Sequence, residues 1–288
     1  MSANEMRPGG ARQATLLGWR KETELDDDSG QKRQKHDATP VWENKSLPNG
    51  PMLLLRKTIG GTKQSERKNT KEELKSLPDW NDNVTFQIYG KECRMRRRIC
   101  QYSWGNISYS YSGLKNMVAP DFPEVVYRIK CQVEDLMLSY LLDDSAKNVG
   151  HKHLNIPPEF IDVLKSINES SSGNSDNRNE IFNYCLLNHY RNGEEYMGYH
   201  ADDEATLHPH YPIASVSLGF TRNFDIRSRK KGDAKRSRLY RILLGDGDLL
   251  LMFPPMQQYY EHGIPVEKRV AGDRINLTFR RVENNINK

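Results

Sequence analysis

The feature that most constrains the fold is a run of short, strand-like segments in the C-terminal part of the chain. Six segments combine apolar, β-branched or aromatic residues with turn-forming neighbours: 181–188, 213–218, 223–227, 239–243, 248–253 and 274–280. Two helical patterns precede them, one over 121–142 and a shorter one that opens at Pro157–Pro158. Helices followed by short strands favour a β-sandwich or jelly roll supported by helices over a parallel α/β sheet.

Composition narrows the class of protein further. The chain has 288 residues, of which 36% are hydrophobic and 28% charged, too polar for a membrane protein and too apolar for a wholly disordered one. There is no apolar run of about 18 residues, and residues 1–10 lack the apolar segment of a secretory signal. We therefore expect no attachment to a membrane. The net charge of +5 is compatible with a polyanionic partner.

The chain divides near residue 50. Residues 1–50 carry large apolar residues without a period among many polar ones, which is typical of a disordered tail. The turn-forming segment Ser46–Pro51 marks the boundary, and residues 51–288 are predicted to form one domain. Thr70–Glu73 has capping-box spacing, which predicts the start of a helix. The domain has two parts, helices first and the strand-rich core second, over 51–180 and 181–283.

The residues with the clearest chemistry are His200, Asp202 and His262. In an extended segment the side chains at i and i+2 point to one side, so His200 and Asp202 can converge on one ion. His262 follows the predicted strand 248–253 and offers a third ligand. Two histidines and one carboxylate on one side of an ion leave three positions open. That arrangement is the facial triad of non-haem Fe(II) oxygenases.

Two histidine pairs and four cysteines offer competing ligands. The pairs His151/His153 and His208/His210 lack strand context, and we interpret them as solvated loop histidines, with zinc binding as the alternative. The cysteines include no C-x-x-C pair and are sparse for this length, which indicates reduced thiols in a cytosolic or nuclear protein.

A second pattern lies in the last predicted strand, over residues 274–280. Four polar residues alternate with three apolar ones, so each set shares one face: the polar set is Arg274, Asn276, Thr278 and Arg280. Two guanidinium groups beside an amide and a hydroxyl favour an anionic ligand. A dicarboxylate would satisfy them, because arginine pairs bidentately with carboxylates. The alternative is an edge strand with one solvated face.

Together these motifs resemble the signature of the AlkB-type Fe(II)/2-oxoglutarate dioxygenases. The matching segments are Asn188–Gly193, His200–Glu204, Pro212–Gly219, His262 and Arg274–Arg280. In that family an Asn-x-Tyr pair precedes the first metal histidine, as Asn188 and Tyr190 do here. The resemblance covers roughly residues 51–283, most of the chain.

The resemblance implies a double-stranded β-helix, or jelly roll, with N-terminal helices and a lid that recognises nucleic acid. The implied metal ligands, which are also the catalytic residues, are His200, Asp202 and His262. The residues implied to bind 2-oxoglutarate are Asn188, Tyr190, Arg274, Asn276, Thr278 and Arg280. Spacing does not decide which arginine pairs with the distal carboxylate, although the family pattern points to Arg274.

The cofactor of the family is Fe(II), and its co-substrates are 2-oxoglutarate and O2. 2-Oxoglutarate takes two of the open positions on the iron and O2 takes the third. Oxidation of an N-methyl group then yields formaldehyde, succinate and CO2. The protein contributes positioning and the exclusion of water, because the cofactors carry the demanding chemistry.

Residues 86–113 resemble the nucleotide-recognition segment of the AlkB branch that repairs duplex DNA. Tyr89 stands on a Gly-containing turn where that branch has a Phe-type wedge between base pairs. From sequence alone, an aromatic packed on its own core is the favoured alternative for Tyr89. The residues implied to contact a flipped base are Tyr109, Ser110, Tyr111 and Asp203, with Tyr111 stacking on the base opposite His200.

Basic residues accompany this segment. Arg94 and residues 96–98 fit contacts with phosphates or a solvated face, and Arg96 stands where the family has a proline. The basic run Arg227–Arg238 lies between two predicted strands and is therefore predicted to form a hairpin loop. We expect it to contact the backbone of the complementary DNA strand, with a solvated loop or a nuclear-import signal as alternatives.

The tail carries two short motifs. Gln13–Trp19 resembles a sliding-clamp-binding box, with Arg20 in place of its second aromatic residue. Lys32–Lys35 is a weak basic patch of the kind used for nuclear import. These features predict a nuclear monomer whose partners are alkylated DNA and, through the tail, the replication sliding clamp.

The sequence thus predicts oxidative demethylation of bases of the 1-methyladenine and 3-methylcytosine type in DNA, with duplex DNA favoured. One alternative is the same chemistry on single-stranded DNA or RNA. A second is a catalytically silent nucleic-acid-binding module, which the complete set of metal ligands and arginines disfavours. A third is a protein hydroxylase, which the basic runs and the tyrosine pair disfavour.

Overall fold

A computed structural model describes residues 41–88, 91–105, 107–111, 114–142, 156–170, 181–229 and 239–283. It does not describe the side chains of residues 86–88, 108–111, 114–118 and 170. The clamp-binding motif at Gln13–Trp19, Tyr89, the pair His151/His153 and the basic residues 230–238 lie outside the described residues.

The described residues form four helices: α1 (Gln64–Lys75), α2 (Glu124–Leu141), α3 (Pro158–Ser170) and α4 (Met256–Tyr259). They form fifteen strands: β1 (Trp42–Asn44), β2 (Met52–Leu55), β3 (Thr85–Ile88), β4 (Lys91–Arg94), β5 (Arg98–Ser103), β6 (Ser108–Tyr111), β7 (Leu114–Val118), β8 (Tyr184–Tyr190), β9 (Met197–His200), β10 (Ile213–Gly219), β11 (Arg222–Ser228), β12 (Tyr240–Leu244), β13 (Asp248–Met252), β14 (Tyr260–Ile264) and β15 (Arg274–Arg280). None of these helices is long and apolar enough to cross a membrane.

Two antiparallel sheets pack against each other. The larger has seven strands in the order β1-β2-β13-β10-β15-β8-β5, and the smaller has four in the order β12-β11-β14-β9. Apolar side chains from both sheets form one buried cluster, in which Leu54 and Leu250 of the larger sheet join Phe224 and Ile242 of the smaller. This arrangement is the predicted jelly roll. Two hairpins, β3–β4 and β6–β7, complete the strand pairing.

The helices α1, α2 and α3 cover the other face of the larger sheet. The buried residues of α2 recur with helical spacing, as at Val125, Ile129, Val133 and Met137, and they pack in the same cluster as the apolar side chains of β15. Burial of each such side chain contributes about 1.5–3 kcal/mol. The alternation predicted for β15 is confirmed, because its apolar residues face the helices while its polar residues face the smaller sheet.

A buried ion pair ties α2 to the start of β8. Lys130 Nζ donates to Glu134 Oε2 at 2.8 Å, and the backbone N–H of Phe182 donates to Glu134 Oε1 at 2.9 Å. Both carboxylate oxygens are therefore satisfied inside the core, as a buried carboxylate requires. The contact fixes where the chain enters the strand that carries Asn188 and Tyr190.

Two details differ from the sequence-based expectations. The helix α1 begins at Gln64, and the predicted start at Thr70 is wrong: Thr70 is a buried interior residue whose Oγ1 donates to the Gly60 carbonyl at 3.0 Å. The regular structure also begins before residue 50, because β1 pairs with β2. The prediction of a hairpin after β11 agrees with the antiparallel pairing of β11 and β12.

Candidate metal centre and cofactor cavity

Three ligand-bearing side chains converge at one end of the space between the sheets. His200 ends β9 and is the register partner of His262 on β14, while Asp202 follows directly after β9. One ligand atom from each residue lies within 4.8 Å of the other two. His200 Nε2 is 3.7 Å from Asp202 Oδ1, and His262 Nε2 is 3.9 Å from Asp202 Oδ2. This spacing suits one metal ion bound by two imidazoles and a carboxylate.

The histidines are held in the form that binds a metal. Nδ1 of His200 lies 3.0 Å from the Gly198 carbonyl oxygen. Because a carbonyl only accepts, Nδ1 donates and the lone pair of Nε2 is left for a metal. Burial lowers the pKa of His262 to about 3 and also lowers the pKa of His200, so both imidazoles are neutral at physiological pH. The ring of Phe224 stacks on His262 with centroids 5.0 Å apart.

Asp202 is buried, and both its carboxylate and its backbone N–H form hydrogen bonds. Arg280 Nη2 donates to Asp202 Oδ1 at 2.9 Å, and the backbone N–H of Asp202 donates to Gln257 Oε1 at 3.1 Å. Burial alone would raise the pKa of Asp202, but the positive charge of the neighbouring Arg280 contributes most to lowering it to about 2. The carboxylate is therefore ionised and oriented without a metal.

A single cavity joins this metal end to the arginine at the start of β15. All nine residues predicted to bind the metal or 2-oxoglutarate line it: Asn188, Tyr190, His200, Asp202, His262, Arg274, Asn276, Thr278 and Arg280. Strand register explains the grouping, because Tyr190 pairs with Arg274 and Asn188 pairs with Asn276 across β8 and β15. The sequence pattern placed these residues on one face, and the pairing of the strands brings the faces together.

The far end of the cavity offers donors to an anion. Arg274 is 1% exposed, and its Nη2 donates to Ser217 Oγ at 2.8 Å. Its Nε and Nη1 are buried without a hydrogen-bond partner among the described residues. Burial lowers the pKa of Arg274 to about 10, which leaves the group charged at neutral pH. Buried guanidinium donors with no partner fit a carboxylate, so the cavity suits a dicarboxylate that reaches the metal end with its other terminus.

The two middle residues of the polar face are bonded within the protein. Asn276 Nδ2 donates to Ser215 Oγ at 2.9 Å and to the Val216 carbonyl at 2.8 Å. Thr278 Oγ1 donates to Asn276 Oδ1 at 3.2 Å. These bonds link β15 to β10 and hold the cavity wall in place.

One residue of the basic cluster at 94–98 belongs to the site. Sequence reasoning assigned Arg97 to phosphate contacts or a solvated face, and this assignment is wrong: Arg97 is buried, and its Nε donates to Asn188 Oδ1 at 2.5 Å. Its neighbours differ, because Arg94 donates to Asn83 Oδ1 and Arg98 pairs with Asp82. A run of arginines in sequence does not reveal which one turns inward.

Sequence reasoning also missed Gln257, which orients Asp202, and Arg222, which contacts Tyr190. The Cζ atom of Arg222 lies 5.6 Å from the centroid of the Tyr190 ring. A signal for Arg222 was present, because it has the same parity in β11 as the inward-facing Phe224 and Ile226. Gln257 lies on the short helix α4, and no spacing in the sequence relates it to Asp202.

The residues predicted to contact substrate are described only in part. Tyr109, Ser110 and Tyr111 lie on β6, which pairs with β7, but their side chains are outside the described set. Asp203 is half exposed, and Arg229 Nη1 donates to its Oδ2 at 2.6 Å. Asp203 lines a neighbouring cavity of about 480 Å³, which also touches Asp202.

This chain is similar to several known proteins. The human DNA oxidative demethylase ALKBH2 is 40% identical over 129 residues, which cover 44% of this chain and 48% of that protein. The mouse alpha-ketoglutarate-dependent dioxygenase alkB homolog 3 is 34% identical over 129 residues, covering 43% of this chain and 44% of that protein. These alignments span about half the length of the curated relatives. A solved structure titled "The structure of OsALKBH1" is 18% identical with a TM-score of 0.45, covering 82% of this chain and 100% of that one.

The family assignment follows from a match that extends over most of the chain. The model of the 2OG-Fe(II) oxygenase superfamily matches residues 51–280, the part that holds every strand of the two sheets except β1 and every residue of the cavity. The resemblance to AlkB-type dioxygenases is confirmed by the relatives named above. The chain therefore belongs to the 2OG-Fe(II) oxygenase superfamily, whose members use Fe(II), 2-oxoglutarate and O2.

Proposed function

We propose that this protein removes N-methyl groups oxidatively from bases in DNA, with duplex DNA as the preferred substrate. One observation carries the reaction type: a His200–Asp202–His262 cluster, in which Asp202 and His262 are buried, lies at one end of a cavity, and the other end holds donors of Arg274 without a partner among the described residues. The relatives named as DNA oxidative demethylases support the substrate class. When bound, Fe(II) and 2-oxoglutarate supply oxidation of the methyl group by O2, with formaldehyde, succinate and CO2 as products.

The residues of the chain have distinct roles in this proposal. His200, Asp202 and His262 hold the metal. Arg280 bonds to the Asp202 carboxylate, and Gln257 accepts from the backbone N–H of Asp202. Arg274 receives the distal carboxylate of 2-oxoglutarate, because it bonds to a neutral serine among the described residues, whereas Arg280 already pairs with the Asp202 carboxylate. The residues that line the space between these points are Asn188, Tyr190, Asn276 and Thr278.

Burial is the second contribution of the chain. Asp202, His262, Arg274 and Tyr190 are each less than a tenth exposed, so the cavity excludes bulk water from both termini of the co-substrate. Electrostatic interactions are stronger in such a site than in water.

The substrate side follows from residues next to the metal. Asp203 is adjacent to a metal ligand, and Arg229, which holds it, directly precedes the basic residues 230–238. We propose that Asp203, Tyr109, Ser110 and Tyr111 contact the flipped base, while the basic residues contact the DNA backbone. Asp203 would meet the base with Oδ1, because Oδ2 accepts from Arg229 Nη1.

The proposal is tested by formaldehyde release from methylated oligonucleotides supplied with Fe(II), 2-oxoglutarate and ascorbate. Duplex and single-stranded substrates of one sequence are compared, with His200→Ala as the inactive variant and His210→Ala, an exposed loop histidine, as the matched control. We expect release on duplex DNA that is lost only in His200→Ala. Release confined to single strands or RNA would assign the alternative substrate. Release on no nucleic acid would contradict the proposal.

Tyr89 is proposed as the wedge that replaces a flipped base. The sequence context supports this role, because Tyr89 is followed by a glycine and lies in sequence between β3 and β4, which pair with each other. Tyr89→Ala is expected to reduce activity on duplex DNA and to spare single strands, since only a duplex needs the stack to be replaced. Equal loss on both substrates would contradict the role.

We propose that the protein acts in the nucleus as a monomer and that Gln13–Trp19 binds the replication sliding clamp. The degraded clamp-binding pattern and the basic patch Lys32–Lys35 support this view. Binding of the full chain to a sliding clamp, compared with a variant carrying Leu16→Ala and Trp19→Ala, tests the motif. Unchanged binding in the variant would contradict it.

A further inference from the structure

Arg222 is a buried arginine that the reaction as described does not use. It is 1% exposed, and its guanidinium makes four polar contacts. Nε donates to Glu267 Oε2 at 2.8 Å. Its other nitrogens donate to three carbonyl oxygens, those of Asn192 at 3.1 Å, Glu195 at 3.0 Å and Pro265 at 2.7 Å. An arginine bonded to this many backbone carbonyls fixes the segments that carry them.

Those segments frame Tyr190. Asn192 and Glu195 belong to the turn that directly follows Tyr190 on β8, and Pro265 and Glu267 belong to the connection that leads from β14 to Arg274. The two segments touch closely: the Glu267 N–H donates to the Gly193 carbonyl at 2.7 Å, and a Cβ on Gly193 would lie 1.9 Å from the Glu267 carbonyl oxygen. Arg222 therefore fastens two elements that approach only because residue 193 is glycine.

The ring of Tyr190 lies beside two guanidinium groups. The Cζ atoms of Arg222 and Arg274 are 5.6 and 5.5 Å from its centroid. Glu267 compensates the charge of Arg222, whereas Arg274 retains two donors without a partner among the described residues. Of these two charges near one ring, only that of Arg274 is left for a ligand.

We propose that Arg222 is a positioning residue for the distal carboxylate of 2-oxoglutarate and acts by holding Tyr190 against Arg274. This inference rests on the proposed binding of that carboxylate at Arg274. Cation–π contact with Arg222 and the fastened turn after β8 keep Tyr190 in one orientation. Tyr190 in turn limits where the guanidinium of Arg274 lies. Loss of Arg222 releases Tyr190 and weakens binding of the end of the co-substrate that Arg274 recognises.

Replacement of Arg222 is expected to lower the preference for 2-oxoglutarate over an analogue without the distal carboxylate, rather than to weaken both equally. 2-Oxopentanoate is 2-oxoglutarate with a methyl group in place of the distal carboxylate, so it lacks the group that Arg274 receives. The protein is loaded with Mn(II), which supports binding without turnover, and both compounds are titrated by calorimetry. We expect Arg222→Met to weaken 2-oxoglutarate about tenfold, the scale of losses when a residue supporting a ligand-binding group is removed. Binding of 2-oxopentanoate should stay within about twofold, since its contacts lie at the metal end.

Arg67→Met is the matched control. Arg67 is also buried, and it contacts the Asp246 carboxylate at 2.8 Å and three backbone carbonyls, but it lies on α1 outside the cavity. The Arg67→Met variant should be less stable than wild type, but the ratio of its dissociation constants for 2-oxopentanoate and 2-oxoglutarate should not change. Arg222→Lys keeps the charge and loses the planar group. It is expected to lower the preference for 2-oxoglutarate over 2-oxopentanoate less than Arg222→Met does. It replaces Arg222→Met in the experiment if that variant does not fold.

The outcomes distinguish failure of the role of Arg222 from failure of the carboxylate site at Arg274. If the Arg222 variants bind both compounds more weakly by the same factor, or bind both as tightly as wild type, the role of Arg222 is overturned. Arg274→Met provides the reference. If that variant still prefers 2-oxoglutarate as strongly as wild type, the proposed carboxylate site itself fails. If Arg274→Met loses the preference while both Arg222 variants keep it, only the inference about Arg222 fails.

Discussion

The two ends of the cavity are built on the same strand with the same residue type, yet they differ in charge balance. Arg274 and Arg280 are both on β15, and both are almost completely buried. Arg280 bonds to the Asp202 carboxylate at 2.9 Å. Arg274 bonds to a neutral serine, and its Nε and Nη1 have no partner among the described residues.

This difference shows how a buried site can prepare for its ligands. At the metal end the protein compensates its own charges, and the arginine keeps the carboxylate ionised and oriented. At the other end it leaves a cation uncompensated, which is costly in a folded interior and points to an anion supplied from outside. The two ends are therefore expected to fail in different ways.

The largest effect is expected at the metal end. Asp202→Asn keeps the shape of the side chain but removes the negative charge that a metal and Arg280 share. We expect metal affinity to fall by at least about 100-fold and formaldehyde release to fall to background, because metal binding depends on the full ligand set. Calorimetry with Mn(II) and the formaldehyde assay measure the two quantities.

A matched control for this variant is Asp225→Asn. Asp225 is equally buried and also pairs with an arginine, Arg241, but it lies on β11 outside the cavity. The Asp225→Asn variant should bind Mn(II) with an affinity near that of wild type. Retained metal binding in Asp202→Asn would show that the triad does not hold the ion, and the contrast between the ends would collapse.

The second effect is expected at the other end. Arg274→Met removes the uncompensated cation and should weaken 2-oxoglutarate by about 100-fold, as for the loss of one partner of a buried charge pair. Mn(II) affinity should remain near that of wild type, because no metal ligand changes. Titration of both ligands tests this, with Arg241→Met as the control. A parallel loss of metal affinity would mean that the two ends do not act separately.

The smallest effect concerns pH and the metal-free protein. The pKa of His262 is about 3 in the folded state against an ordinary value of 6.5, because burial disfavours its charged form. The unfolded chain therefore binds a proton that the folded one does not, and stability falls as pH drops below 6.5. Between pH 7 and 5 we expect the free energy of unfolding to fall by about 2 kcal/mol from this group.

Urea unfolding of the metal-free protein at the two pH values measures this dependence. His262→Gln should reduce the loss by that amount, whereas His210→Gln, on an exposed loop, should not change it. An unchanged loss in His262→Gln would show that His262 is not held neutral by burial.

Much of the site was predictable because strand alternation has a period of two. Alternation alone placed Arg274, Asn276, Thr278 and Arg280 on one face, and the same rule placed His200 and Asp202 on one side of an extended segment. The interpretation of Thr70 failed because a capping-box spacing also occurs inside a helix. Arg97 was misplaced because the run of arginines around it gave no period to follow.

The sequence by itself determined which residue types are available, their phase along each strand and the helix-then-strand order that favours a jelly roll. Tertiary structure decided which strands pair and therefore which of their side chains lie next to each other. The pairing of β8 with β15 sets Tyr190 against Arg274, and the pairing of β9 with β14 sets His200 against His262. It also decided that Arg280 binds Asp202 while Arg274 stays free for a ligand. The physical reason is that charge compensation depends on distances of a few ångströms between strands far apart in the chain, and local periodicity carries no information about those distances.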